Sequence, residues 1–377
     1  MRSMVDTDTV QQFVDAVATT ELRPLSSEPH NGRMYSYGGI LPDSGEPAVL
    51  ELPRGVHWLN DTSSAESPSR LYVRPAYQVL LLLAMAFVDH TEVPHHRVVI
   101  TGSSGTGKTS FLSWMLRHLR RLDKPPVIVL DMAGFFGRIA SDGGVTAGTR
   151  GSSFQQELAT ASRSTVYLCD TTWTEDIEYS GPDIRARTIV VSPPMHTVMS
   201  TSPTDTMRTL VLVMPLWTMA ELETCRSTCY ARSVSQETLL ELYQLWGGVV
   251  RLTLGTPKQE ARHEFVRSLE ALPFASVIRI IRNDGLVRMH EFDADLEITI
   301  GARLIHIHVD SDSTFQFSGA AVCSSLACSL LIGSSSEQLE NANELVSPSG
   351  CLVVPRNMEV FYQQVQQVLF DRDSATP

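Results

Sequence analysis

The residues best suited to chemistry lie between Arg97 and Leu116, in the stretch RVVITGSSGTGKTSFLSWML. Within it, Gly102-Ser103-Ser104-Gly105-Thr106-Gly107-Lys108-Thr109 fits the spacing G-x-x-x-x-G-K-[ST] of a phosphate-binding loop. Each residue type has a physical reason. A β-phosphate sits among backbone N–H groups at a helix N-terminus, where the donors and the helix dipole both favour negative charge. Gly102, Gly105 and Gly107 let the backbone come that close and take positive φ. Lys108 is expected to place its ammonium between the β- and γ-phosphates, and Thr109 to give its hydroxyl to Mg²⁺. With Ser110 in the first helical turn, residues 102–110 form the expected site for a nucleoside triphosphate and its magnesium.

Such a loop must hang between a buried strand and a helix. The run Val98 to Thr101 supplies the strand, and Phe111, Leu112, Met115, Leu116 and Leu119 recur at helical spacing after it. Four more short apolar runs follow: Val127 to Leu130 ending at Asp131, STVYLCD ending at Asp170, RTIVVS ending at Ser192, and TLVLVM over 209–214. Strands spaced this way predict an α/β fold, a P-loop NTPase sandwich with a parallel sheet between helical layers. In such sheets ligands bind at the strand C-terminal ends, where Gly102, Asp131, Asp170 and Ser192 fall.

Hydrolysis needs an acid for the metal and a group that orients water. Asp170 is the preferred magnesium-directing acid and Asp131 the second choice, with contact to the water or capping of a loop as its other roles. No Glu follows Asp170, since Thr171 and Thr172 stand there, and Glu175 and Asp176 read as solvated loop acids. Ser192 reads either as a γ-phosphate sensor or as a turn residue before Pro193-Pro194. Arg251, after Gly247-Gly248, reads either as a third catalytic group beside Lys108 and Asp170 or as one half of a surface ion pair.

Around this core the spacing predicts a helix over residues 1–20, a loosely structured lead-in to residue 70, and a helix from the Leu71-Tyr-Val segment to Val88. The basic run Arg117 to Lys124 reads as cations at a helix C-terminus rather than a nucleic-acid patch. Residues 141–153 read as a flexible loop. Beyond Leu216 the expectation is helices over 219–226, 235–246 and 260–281, strands within 285–310, an apolar helix over 318–332, a Ser-rich loop over 333–350 and a closing helix over 357–370. The domains expected are a variable lead-in (1–70), the nucleotide-binding core (71–255) and a smaller C-terminal α+β region (256–377) that serves as lid or partner-binding surface.

Composition narrows the class. The chain has 377 residues, 43% hydrophobic and 19% charged, which is globular composition. A net charge of −12 argues against a surface that coats nucleic acid. The longest apolar run, Val79 to Val88, is too short to span a bilayer, and the acidic N-terminus is not a secretory signal, so no membrane partner and an intracellular location are expected. The six cysteines form no C-x-x-C pair and read as buried thiols in a reducing compartment, with structural zinc as the weaker alternative.

Leu71-Tyr-Val-Arg-Pro-Ala-Tyr77 ahead of the glycine-rich loop, then VYLCD, TIVVSPP, MPLWTMAEL and LYQLWGGVVRLTL, resembles the Crinkler and retrotransposon-hot-spot proteins over residues 55–310. These are P-loop ATPases of the AAA+/STAND type from oomycetes, fungi and trypanosomatids. The resemblance implies ATP as the nucleotide, carries the family's lysine onto Lys108 and its strand-end acid onto Asp170, and carries its Gly-Gly-x-x-Arg piece onto Gly247, Gly248 and Arg251. It also implies delivery of some members to a host cell and nucleus, and an attached effector domain. The family's N-terminal header is not visible in residues 1–60, and residues 310–377 hold no second catalytic constellation, so the expectation is an ATPase-only or truncated member. The expected function is a Mg²⁺-dependent ATPase switch acting on a protein partner or a second copy, with Gly247-Gly248 as its hinge. The alternative is a module that holds nucleotide without turning it over, which the missing Glu after Asp170 favours.

Overall fold

The computed structural model describes residues 6–25, 46–59, 69–89, 96–159, 164–171, 184–193, 208–255, 259–282, 304–309, 315–334, 336–346 and 358–374. The chain is α/β, with a seven-stranded, mostly parallel sheet and helices. It divides into two compact units: Met1–Ile100, Lys108–Ser192 and Thr201–Leu212 form one, and Thr101–Gly107, Pro193–Ser200 and Val213–Pro377 the other.

In the first unit, helix α1 (Thr7–Thr19) starts at Asp6, whose carboxylate accepts the Thr9 N–H at 2.9 Å, and buries Val10, Phe13, Val14 and Val17. Strands β1 (Leu22–Pro24), β2 (Ala48–Glu51) and β3 (Arg70–Val73) form a small antiparallel sheet in that order. Helix α2 (Pro75–Val88) follows. Leu71-Tyr-Val is therefore strand and not the helix opening that its apolar character suggested. Pro75 explains the boundary: it suits the first helical position and pushes Arg74 into extended backbone, at φ −72° and ψ 148°.

The large sheet is built from β4 (His96–Thr101), β5 (Val127–Met132), β6 (Phe135–Ile139), β7 (Val145–Ala147), β8 (Thr165–Asp170), β9 (Arg187–Val191) and β10 (Arg208–Val213), with helices α3 (Lys108–Arg120) and α4 (Gln155–Ala159) between. Its order is β10-β4-β9-β8-β5-β6-β7. Strands β4, β9, β8 and β5 pair in parallel, while β5–β6 and β6–β7 are antiparallel. The parallel strands are buried along nearly their whole length, which is why they read as unbroken β-branched runs. Helix α3 packs on β8 and β9, and α2 on α3 and β9.

Two readings of this region are corrected. Strand β5 does not end at Asp131 but continues to Met132 and reverses over Ala133-Gly134. Both turn residues have positive φ, 55° and 81°, the type I′ geometry that matches strand twist. Residues 141–153, read as a flexible loop, contain strand β7, and their Arg150 is held in an ion pair. The basic run at the C-terminal end of α3 is structural: Arg117 donates to the Thr20 carbonyl at 3.1 Å, Arg120 to that of Ala140 at 2.9 Å, and Arg121 pairs with Glu21.

The second unit opens with α5 (Met219–Cys225), started by a capping box between Thr218 and Glu221, and a π-helical turn over Arg226–Tyr230. Then come α6 (Gln236–Trp246), the short α7 (Val250–Thr253), α8 (Gln259–Ala271) and α9 (Phe274–Arg282). Strands β11 (Ile305–Val309) and β12 (Phe317–Val322) pair antiparallel, followed by α10 (Ser325–Gly333), α11 (Ser336–Val346) and α12 (Glu359–Ser374). Trp246 packs on Phe265 and Phe274 on Phe361 in one apolar core. The apolar stretch read as one helix over 318–332 is a strand and then a helix, divided at Ser324, whose hydroxyl accepts the Ala327 N–H at 3.0 Å. The stretch read as a Ser-rich loop contains α11, with Leu339, Ala342 and Leu345 turned to the core. The strands expected over 285–303 lie outside the described residues. No described helix is long and apolar enough to cross a membrane.

Candidate phosphate-binding loop

The glycine-rich loop leaves β4 at Thr101, and α3 begins at Lys108. Gly102, Gly105 and Gly107 stand at φ 133°, 81° and 101°, all in the region that side chains disfavour. Space adds a second constraint at two of them. A Cβ on Gly102 would lie 2.8 Å from the Met214 carbonyl, and one on Gly105 would lie 2.9 Å from both Arg251 Cβ and Val249 Cγ1.

The loop is fixed by main-chain and side-chain bonds from the second unit, to which Thr101–Gly107 belong. Ser103 and Thr106 are buried, and the Thr106 hydroxyl donates to the Ser103 carbonyl at 2.9 Å. Ser103 Oγ accepts the Ile307 N–H at 2.9 Å. The indole Nε1 of Trp217 donates to the Thr106 carbonyl at 2.9 Å, and the Arg251 N–H to that of Gly105 at 3.3 Å. Trp217 is itself set by Gly248, whose carbonyl accepts its N–H at 2.9 Å. Here the glycine pair has its reason: a Cβ on Gly248 would lie 2.3 Å from the Trp217 carbonyl, and one on Gly247 2.1 Å from that of Cys323. The Pro-Leu-Trp and Gly-Gly-x-x-Arg strings are thus one structure, a collar around residues 103–106. Arg251 is exposed, and its Cδ lies 3.7 Å from the position a Gly105 Cβ would take. Ser104 and Gly107 complete the loop.

In the first unit, Lys108 is buried at the start of α3, followed by Thr109 and Ser110. The Thr109 hydroxyl donates to Asp170 Oδ2 at 2.6 Å, and Asp170 is fully buried at the end of β8. Two groups of magnesium-binding chemistry, 61 residues apart, are therefore adjacent. Ser192 is buried after β9, its N–H bonded to the Ile100 carbonyl at 3.0 Å. Glu175 and Asp176 lie outside the described residues.

Asp131 is elsewhere. Its cross-strand partner is Cys169, so it shares a sheet face with Cys169 and Tyr167 and opposes the face of Asp170. The Arg150 guanidinium grips both its oxygens, Nε to Oδ2 at 2.9 Å, with the Tyr167 hydroxyl 3.4 Å from Oδ2. This hydrogen bond holds the Arg150 pKa above its ordinary range. The second-choice magnesium ligand is thus occupied by a cation on the far face. Among the described residues no three of His, Cys, Asp and Glu gather as a metal-holding group, and the described cysteines are buried.

Neither a protein-family model nor a curated protein matches this chain. Sequence reasoning missed two parts of the loop's support. Trp217 had a signal, an aromatic with a ring N–H inside an otherwise apolar string. Ile307 had none, because it acts through its backbone.

Proposed function

We propose that this protein is a P-loop NTPase that binds ATP with Mg²⁺ and acts as a nucleotide-dependent switch, resembling the ATPase module of Crinkler-type proteins. The observation that carries the reading is the 2.6 Å bond between Thr109 and Asp170. It brings a distant strand-end acid to the one loop residue whose hydroxyl the motif reserves for the metal. The glycines with positive φ, the buried Lys108 at a helix start and Arg251 beside Gly105 are the donor set that a triphosphate requires.

Residues 102–107 and Lys108 would hold the phosphates and Thr109 and Asp170 the metal, while Arg251 would bring its guanidinium charge beside Gly105. Bound Mg²⁺ supplies neutralisation of phosphate charge. ATP is preferred to GTP because the chain contains no N-K-x-D string for reading guanine. One observation favours the second reading, binding without turnover: Thr171 occupies the place after Asp170 where a Glu base would stand.

The test is a titration of fluorescent ATP and GTP, with phosphate release measured beside it, on wild type and Lys108→Ala. Wild type should bind ATP and release phosphate only with Mg²⁺, and Lys108→Ala should bind at least about 100-fold more weakly, the scale of a lost buried charge contact. Binding without release selects the second reading. Equal behaviour of the two proteins overturns both.

A further inference from the structure

The second unit contains a cavity of about 600 Å³, a size that suits small organic ligands. Trp217, Tyr243 and His308 give it aromatic walls, and Gln244 and Ser325 bring an amide and a hydroxyl. Among the described residues no Lys, Arg, Asp or Glu lines it. Burial pushes the His308 pKa below its ordinary value, so the imidazole is neutral at pH 7. An ion entering would lose part of its hydration to walls whose described residues bring no countercharge, whereas an uncharged ring can stack and hydrogen-bond.

The lining is also tied to the glycine-rich loop. Trp217 donates to the Thr106 carbonyl. Gly248 accepts the Trp217 N–H, and Arg251, three residues on, donates to Gly105. His308 follows Ile307, whose N–H bonds Ser103. A ligand that shifts these walls shifts groups that hold the loop.

We infer that this cavity binds an uncharged planar heteroaromatic molecule, and that its occupancy changes the affinity of the glycine-rich loop for nucleotide. The second half rests on the nucleotide reading above; the cavity itself does not.

The probe is nicotinamide, with nicotinate as the same ring carrying a charge, followed by saturation-transfer NMR on the full chain. Nicotinamide should bind at least tenfold more tightly than nicotinate, and Ser325→Trp or Leu326→Trp, each filling the cavity from an exposed position, should abolish the signal while circular dichroism is unchanged. Saturating nicotinamide should then move ATP affinity about fivefold or more, and ATP should move nicotinamide affinity by the same factor. Mutual exclusion assigns the cavity to the nucleotide's own base; joint binding assigns it to a separate molecule. Equal binding of nicotinate, or wild-type binding by both filled variants, overturns the cavity. Nicotinamide binding that leaves ATP affinity unmoved overturns the linkage. A chain that binds nicotinamide but no nucleotide overturns the proposed function and leaves the cavity standing.

Discussion

Gly105 shows how one residue answers two demands. Its φ of 81° disfavours any side chain, and the space beside it is taken by Val249 and by the Arg251 stem. Gly105→Ala should therefore cost about 1–3 kcal/mol in urea unfolding, from positive φ and from a clash against packed neighbours. It should also weaken ATP binding by more than the same change at Gly134, where the added Cβ meets no described residue within 4 Å. Equal effects at the two positions would remove the special status of the loop. This residue was legible from spacing, as was Asp170. The role of Arg150 was not, because a Gly-rich stretch gives no periodic signal and its partner Asp131 lies 19 residues away.

At the scale of elements, the decisive fact is which face of the sheet a side chain takes. Strand alternation is readable in sequence only where one face is polar, and β5 and β8 are buried on both. The sequence therefore ranked Asp170 ahead of Asp131 without showing which face either takes, and the register puts them on opposite faces. Two further elements were hidden for related reasons. Strand β12 is apolar on both faces and merges into α10, while α11 starts in serines that mask its Leu339, Ala342 and Leu345 spacing. The register makes a prediction. Asp170→Asn should abolish the Mg²⁺ dependence of ATP binding, and Asp131→Asn should leave it intact. Arg150→Met should instead lower stability by about 1–3 kcal/mol, because a carboxylate 4% exposed loses its cation; the guanidinium is itself 41% exposed, which keeps the loss below that of a fully buried pair. The double variant Arg150→Met with Asp131→Asn should recover part of it in the same unfolding assay.

At the scale of the whole molecule, acid should act on stability and on nucleotide binding together, through β11. His306 is 1% exposed and its two ring nitrogens find no hydrogen-bond partner among the described residues, and burial pushes its pKa down to about 3. His308, on the same strand, is also lowered by burial. The unfolded chain takes up these protons near pH 6.5 and the folded chain does not. Stability is therefore full above about pH 6.5 and falls as pH drops toward 3, at up to about 1.4 kcal/mol per pH unit for His306 alone. Urea unfolding at pH 7, 6 and 5 should show this slope, and His306→Leu should flatten it by about one proton while carboxylate contributions persist. Because Ile307 lies between the two histidines and holds Ser103, opening this strand also frees the glycine-rich loop. ATP affinity in wild type should then fall across the same pH range and fall less in His306→Leu; an identical pH profile for the two proteins would separate the histidine from the loop.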